Sequence, residues 1–130
     1  MTDFATKMLP TAPDVLAPDG SEVRILLATG RGSMAHFSLA PGQVSRAIVH
    51  RTVDEIWFIL AGRGAMWRAR DGRTEVTELS AGLSVTIPAG TEFQFRAEPG
   101  EPLQVVAITM PPWPGESEAV FVPDRWTAMV

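Results

Sequence analysis

His50 and Glu55 stand five residues apart, across a turn between two β-rich runs, Val44–His50 and Glu55–Leu60. Histidine has the unperturbed pKa nearest neutrality, and a neighbouring carboxylate fixes its tautomer and raises its basicity, so the pair suits general acid–base work. Arg46 is the third group of interest, because a guanidinium holds a carboxylate, phosphate or enolate oxygen through a forked pair of hydrogen bonds. Along an extended run residues two apart point the same way, which places Arg46, Ile48 and His50 on one face. By the same rule Glu55, Trp57 and Ile59 share a face, and so do Phe93, Phe95 and Ala97. With two histidines, no cysteine and no tyrosine, the chain has no thiolate nucleophile, thiolate metal site or phenol acid to offer.

These groups need a frame, and the chain supplies short extended runs punctuated by Gly and Pro. From Glu22 onward the candidate strands are Glu22–Ala28, Ser33–Leu39, Val44–His50, Glu55–Leu60, Ala65–Arg70, Thr74–Leu79, Ser84–Ile87, Glu92–Arg96 and Leu103–Met110. About nine strands at this spacing, with almost no helical period, predict an all-β barrel or sandwich. Asp71-Gly72 is a two-residue hairpin signal, since that turn needs residues tolerant of positive φ. Alternation makes Trp67 core-facing with Ala65 and Ala69, opposite Met66, Arg68 and Arg70. Residues 1 to 22, with Pro10, Pro13 and Pro18, read as an irregular arm that covers a sheet edge or crosses to a partner. Pro111, Pro112 and Pro114 force an extended exit from the sheet around Trp113. The Trp113 indole needs a surface, either the mouth of the barrel or a neighbouring subunit. Phe121, Val122 and Trp126 make the tail apolar enough to dock.

A chain of 130 residues with 45% hydrophobic and 20% charged residues is expected to form one domain over 1–130, its barrel core at about 22–110 and a docked tail at 111–130. The formal charge of −4 argues against nucleic acid as a partner, because phosphate binding needs a basic surface. No apolar run reaches the ~18 residues of a membrane span, and no basic segment followed by a long apolar run opens the chain. The expectation is a cytoplasmic protein without a membrane partner.

Two stretches carry a resemblance to a known family. In the first, His50, four residues, Glu55, six residues and Gly62 follow one another; in the second, Gly82, five residues, Pro88, Ala89 and Gly90. They resemble the two signature motifs of the cupin superfamily, with Ile48 where the first motif has its first histidine, Phe93 where the second has its histidine and Ala97 where it has asparagine. The resemblance implies an all-β, cupin-type double-stranded β-helix (a jelly-roll barrel), flanked here by the N-terminal arm and Pro-rich tail. It also implies that His50 points inward, and Arg46 and Ile48 with it. The cavity would then be a cup of Ile48, Trp57, Phe93 and Phe95 with His50, Glu55 and Arg46 as its polar groups. Members with an intact metal site use three histidines and a glutamate. Two substitutions leave only His50 and Glu55, so no tightly held cofactor is expected, at most a weak divalent ion at that pair. His36 and Gln104 are the next candidate ligands, although His36 lies opposite Ala35, Phe37 and Leu39 and reads as a surface or interface histidine.

The function expected is that of a metal-independent isomerase, cyclase or lyase acting on a small molecule. His50 would carry the proton, Glu55 assist it and Arg46 anchor an anionic group, while Trp57, Phe93, Phe95 and Ile48 bind substrate. A satisfied polar cluster without chemistry is the plainer alternative for the three polar groups. The rival functions are a non-catalytic barrel that binds an apolar or aromatic metabolite, and a metal-dependent cupin with non-motif ligands. A homodimer, common among cupins, is expected to involve the arm and the tail.

Overall fold

Turns at Gly and Pro cut the chain into short extended runs, which pair in antiparallel fashion. The computed structural model describes residues 3–130. Its strands are β1 (Val15–Leu16), β2 (Glu22–Ala28), β3 (Ser33–Leu39), β4 (Ile48–His50), β5 (Asp54–Ala61), β6 (Arg63–Arg70), β7 (Arg73–Ser80), β8 (Ser84–Ile87), β9 (Glu92–Ala97), β10 (Leu103–Met110) and β11 (Ala119–Phe121). One sheet has the order β1-β2-β3-β10-β5-β8 and the other β11-β4-β9-β6-β7. Two antiparallel sheets face each other across a shared core, within the all-β barrel or sandwich that the runs and turns predict and as the jelly roll that the resemblance implies.

The expected runs from Glu22 to Met110 all appear, most within a residue or two of the predicted ends, with one substantial exception. Only Ile48–His50 of the run expected at Val44–His50 is strand; Val44 makes isolated bridges to Arg96 and Met129, and residues 45–47 are irregular. Two short strands were not foreseen: β1 lies within the arm and β11 within the tail. Each adds an edge to a sheet, Val15 opposite Val23 and Ala119 opposite His50. The Asp71-Gly72 hairpin is present, both residues at positive φ, with Arg70 paired to Arg73. Gly62, at φ 84°, has no room for a side chain: an added Cβ would lie 2.3 Å from the Pro102 carbonyl oxygen.

The core sits between the sheets. Leu39, Ile48, Trp57, Ile59, Met66, Leu79, Ile87, Phe93, Phe95, Leu103 and Val105 are all at most 2% exposed. Trp57 is its centre, with edge-on contacts to Phe37, Phe93 and Phe95 at centroid distances of 5.8, 6.1 and 4.9 Å. The register corrects the reading of Trp67. Met66 pairs with Phe95 and shares its inward face, whereas Trp67 pairs with the outward-facing Gln94. Alternation identifies two faces of a strand but not which one meets the core, and on β6 the core takes Met66 from the face that also carries Arg68 and Arg70.

The tail docks on its own barrel. Gln94 donates to the Ser45 and Trp126 carbonyls and accepts from the backbone N–H groups of Arg125 and Trp126. The Arg96 guanidinium lies 4.2 Å from the centre of the Trp126 ring. No helix among the described residues is long and apolar enough to cross a membrane.

Candidate functional site

His50 ends β4 and Glu55 is the second residue of β5, so the short turn between the two strands brings both side chains to one end of the barrel, where they are 4% and 2% exposed. His50 Nδ1 lies 3.4 Å from Glu55 Oε2. The other carboxyl oxygen, Oε1, accepts a short hydrogen bond from the Trp57 indole N–H. Burial pushes the Glu55 carboxyl from 4.5 up to about 8; the indole hydrogen bond opposes the shift and the nearby Asp19 adds to it. Burial also pushes His50 from 6.5 down to about 4, partly offset by the negative charge of Glu118. Between these values the contact is a neutral carboxyl beside a neutral imidazole, not an ion pair. His50 Nδ1 is buried and makes no well-formed hydrogen bond. It faces a group that can approach by a few tenths of an ångström and complete one.

The aromatic residues expected to line an open cup are instead packed together. Ile48, Trp57, Phe93 and Phe95 are at most 2% exposed, and the rings fill the space between the sheets. Phe93 also meets the His50 ring edge-on at 5.2 Å. Arg46 corrects a second expectation. It is exposed, and its backbone N–H donates to the Asp19 carbonyl, while Ser45 and Ala47 on either side are buried. Period-two alternation holds only along regular strand, and β4 begins two residues later. Arg46 therefore does not turn inward with Ile48 and His50.

Residues 35–109 match the family of the cupin domain. The chain belongs to the cupin family. Solved structures of low identity share this cupin's fold. An uncharacterised protein with a double-stranded β-helix domain from Klebsiella pneumoniae is 18% identical, with TM-score 0.66, over 83% of this chain and 89% of its own. The Streptomyces protein PAC13, solved with uridine, is 12% identical with TM-score 0.70 over 92% of both chains. Oxalate decarboxylase from Bacillus subtilis reaches TM-score 0.77 at 14% identity; 94% of this chain covers 33% of that enzyme. No curated protein matches the chain.

Cupins often hold a metal ion, and the donor set here fits one poorly. The described residues contain no group of three or more His, Cys, Asp or Glu side chains placed to share an ion. Ile48 and Phe93, at the motif's other histidine positions, present hydrocarbon to His50 and Glu55. The non-motif candidates lie elsewhere. His36 Nε2 is 3.1 Å from Gln104 Oε1, and both residues alternate with inward-facing neighbours, so they sit on the outer face of the six-stranded sheet. Of the two readings of His36, as a surface or an interface histidine, the first is corrected, since His36 is only 2% exposed.

Two residues of the tail complete the site. The backbone N–H of Trp113 donates to Ser33 Oγ, and its indole lies edge-on over the His50 ring at 5.1 Å. Of the two surfaces considered for Trp113, the structure uses the mouth of its own barrel. Glu118 holds this strap down by accepting from Thr52 N–H at 2.5 Å, Thr52 hydroxyl at 2.6 Å and Val53 N–H at 2.8 Å. Burial raises the Glu118 carboxyl, but those hydrogen bonds outweigh it and keep the group below its ordinary value. No local signal in the sequence marks Glu118, because its partners lie 65 and 66 positions away.

The Trp113 strap lies edge-on against the His50 ring, which is 4% exposed, and Glu118→Gln removes the charged acceptor that latches it. Weakened hydrogen bonds to a charged group cost about 1.5–3 kcal/mol, so the open fraction should rise roughly tenfold or more. Diethyl pyrocarbonate acylates neutral imidazole, and peptide mapping by mass spectrometry can follow it at each histidine. Glu118→Gln and Trp113→Ala should both accelerate acylation of His50 and leave that of His36 unchanged. Equal rates in wild type and variants would show that the strap does not gate the site.

Proposed function

We propose that this cupin is a small-molecule isomerase, cyclase or lyase in which His50 and Glu55 relay one proton between two atoms of the substrate. The observation that carries the reading is the buried, oppositely shifted pair: a carboxyl that keeps its proton to about pH 8 beside an imidazole that stays neutral down to about pH 4. His50 Nδ1 faces Glu55, which leaves Nε2 for the substrate. When Nε2–H gives its proton to the substrate, Nδ1 takes the Glu55 proton, and the imidazole is neutral before and after. The resulting carboxylate is held by the Trp57 indole N–H. In the return half, Nε2 takes a proton from a second substrate atom and Nδ1–H restores the Glu55 carboxyl. The net change is a proton moved within the substrate, as in isomerisation, or moved onto a departing hydroxyl, as in loss of water. No charge accumulates on the ring, which matches its burial.

The site's other features support the same reading. Phe93, Trp57 and the strap exclude water while a substrate is bound, which favours transfer to the bound molecule, and the pair regains solvent protons between turnovers. The packed aromatic interior gives the non-catalytic binding reading less support, because Trp57, Phe93 and Phe95 have each other as partners. The test is a screen in heavy water by proton NMR, with uridine and related nucleosides first, since a cupin-fold protein of similar length holds uridine. The expected result is enzyme-dependent deuterium incorporation or a new product, constant in rate over the pH interval where the pair is neutral. Turnover that rises with pH through 8 would assign the chemistry to a Glu55 carboxylate base and end the relay.

A further inference from the structure

One row of the five-stranded sheet gathers positive charge beside the His50–Glu55 pair. On the inward face Ile48 on β4 pairs with Phe93 on β9, Phe93 with Arg68 on β6, and Arg68 with Glu75 on β7. Arg68 finds partners for its guanidinium. It donates to the Thr86 carbonyl on β8 of the other sheet at 2.9 Å, to Thr77 Oγ1 at 2.9 Å and to Glu75 Oε1 at 3.2 Å. The next row toward the mouth holds His50, Arg70 and Arg73, each two residues along from Ile48, Arg68 and Glu75. Arg70 and Arg73 are direct cross-strand partners on that face, and like charges set opposite each other repel. Among the described residues neither guanidinium makes a hydrogen bond; Arg70 has only Asp71, whose Oδ2 lies 3.9 Å from its Nε on a side chain 86% exposed. Arg70 leans back toward the site. Its Nε lies 4.0 Å from where a Cβ on Gly90 would stand, and the Gly90 N–H donates to the His50 carbonyl at 2.9 Å. Thr91, between Gly90 and β9, is 3% exposed, and its hydroxyl has no hydrogen-bond partner. Buried polar groups are nearly always partnered, so an orphan hydroxyl in a row with two guanidiniums marks a place for an acceptor.

We infer, on the footing of the proton relay proposed above, that Arg70 and Arg73 clamp an oxyanion on the rim of the site, with the Thr91 hydroxyl as a third donor. The substrate is then a small molecule that carries a doubly charged group. The charge follows from electrostatics. The His50–Glu55 pair is neutral, so it neither compensates the two guanidiniums nor repels an anion. A single negative charge leaves the two arginines half compensated, whereas a dianion meets both. Each guanidinium presents a fork that matches two oxygens of a phosphate or carboxylate. The shared chemistry is a compact dianion, either a phosphate ester or two neighbouring carboxylates. The reach follows from the register. Only β9 separates β4 from β6, so the backbones at His50 and Arg70 stand about 10 Å apart, and their side chains close part of that gap. The anionic group therefore lies a few bonds from the atoms that exchange a proton with Nε2. The anchoring role expected of Arg46 falls to these two arginines, which the sheet register brings to the mouth. Anionic candidates belong in the heavy-water screen beside the neutral nucleosides.

The experiment is an NMR titration of the full chain with inorganic phosphate and with malonate, at neutral pH and constant ionic strength, set against acetate. The readouts are the arginine Nε–H signals and the melting temperature. Phosphate or malonate should shift the Arg70 and Arg73 signals saturably and raise the melting temperature by linkage, and acetate at the same concentration should do neither. The tighter of the two dianions identifies the group. Arg70→Gln and Arg73→Gln should each weaken that binding about tenfold or more, and Thr91→Val several-fold. Arg63→Gln, at the far end of β6, should bind as wild type does. All three arginines are exposed, so these substitutions leave the core alone. If neither dianion binds more tightly than acetate, or if Arg70→Gln or Arg73→Gln keeps full affinity, the clamp is overturned. Equal loss in Arg63→Gln would overturn it too, because the binding would then belong to general surface charge. Unchanged affinity in Thr91→Val would overturn the role of its hydroxyl. His50→Gln separates the clamp from the relay, since it removes the proton carrier and should bind the dianion as wild type does. A failed relay thus leaves dianion binding in place, and a failed clamp leaves proton exchange at His50 untouched.

Discussion

His50→Gln is expected to lower turnover by about 10²–10⁴-fold, the usual share of a positioned acid–base group, while the fold stays intact. Glutamine keeps much of the shape and some hydrogen bonding, but it cannot pass a proton between two nitrogens. Glu55→Gln should be equally severe in the relay, because the amide cannot exchange a proton with Nδ1. If the carboxyl only oriented the imidazole, that change would be mild. Arg46→Ala should leave turnover near wild type, since the side chain is exposed on the irregular segment before β4. Rates measured against pH sharpen the test. Activity should be level between the two shifted values, falling as His50 gains a proton near pH 4 and as Glu55 loses one near pH 8. Full activity in His50→Gln would remove the relay outright.

The architecture was legible in the sequence because local rules set it. Glycine turns at Gly62, Asp71-Gly72 and Gly82 separate runs whose composition favours strand, and the pairing of His50 with Glu55 follows from one short turn. Two kinds of information were not local. Face assignment failed where the core-facing side of a strand also carries arginines, as on β6 with Met66, Arg68 and Arg70, and where regular strand gives way, as at Arg46. Burial of His36 could not be read from its own strand, because it depends on Gln104 and on Arg24 across the sheet. Docking of the tail was foreseen from Trp113 and Trp126, but not its chemistry. Glu118 latches onto Thr52 and Val53 through contacts that only the closed barrel creates. The visible half of the site is therefore the half on two consecutive strands. The hidden half is the strap that covers it.

Stability should carry the same signature as catalysis, and Glu55→Gln isolates it. The folded protein holds the Glu55 proton up to about pH 8, whereas an unfolded carboxyl releases it near 4.5. Between these values the folded state binds more protons, so stability falls as pH rises. At about 1.4 kcal/mol per pH unit, the interval is worth on the order of 5 kcal/mol by pH 8, a large part of the stability of a domain this size. His50 acts in the opposite direction. Its folded value of about 4 against 6.5 unfolded means that stability falls as pH drops below 6.5. The two slopes oppose each other between 4.5 and 6.5, which leaves a plateau there and a decline from 6.5 to 8. Glutamine at position 55 keeps an oxygen to accept the Trp57 indole hydrogen bond and has no charge to bury. Denaturant midpoints for Glu55→Gln should therefore decline less than those of wild type from pH 6.5 to 8.5 and exceed them at the upper end. Parallel declines in the two proteins would show that Glu55 ionises without penalty in the folded barrel, and the neutral pair on which the relay depends would not exist at neutral pH.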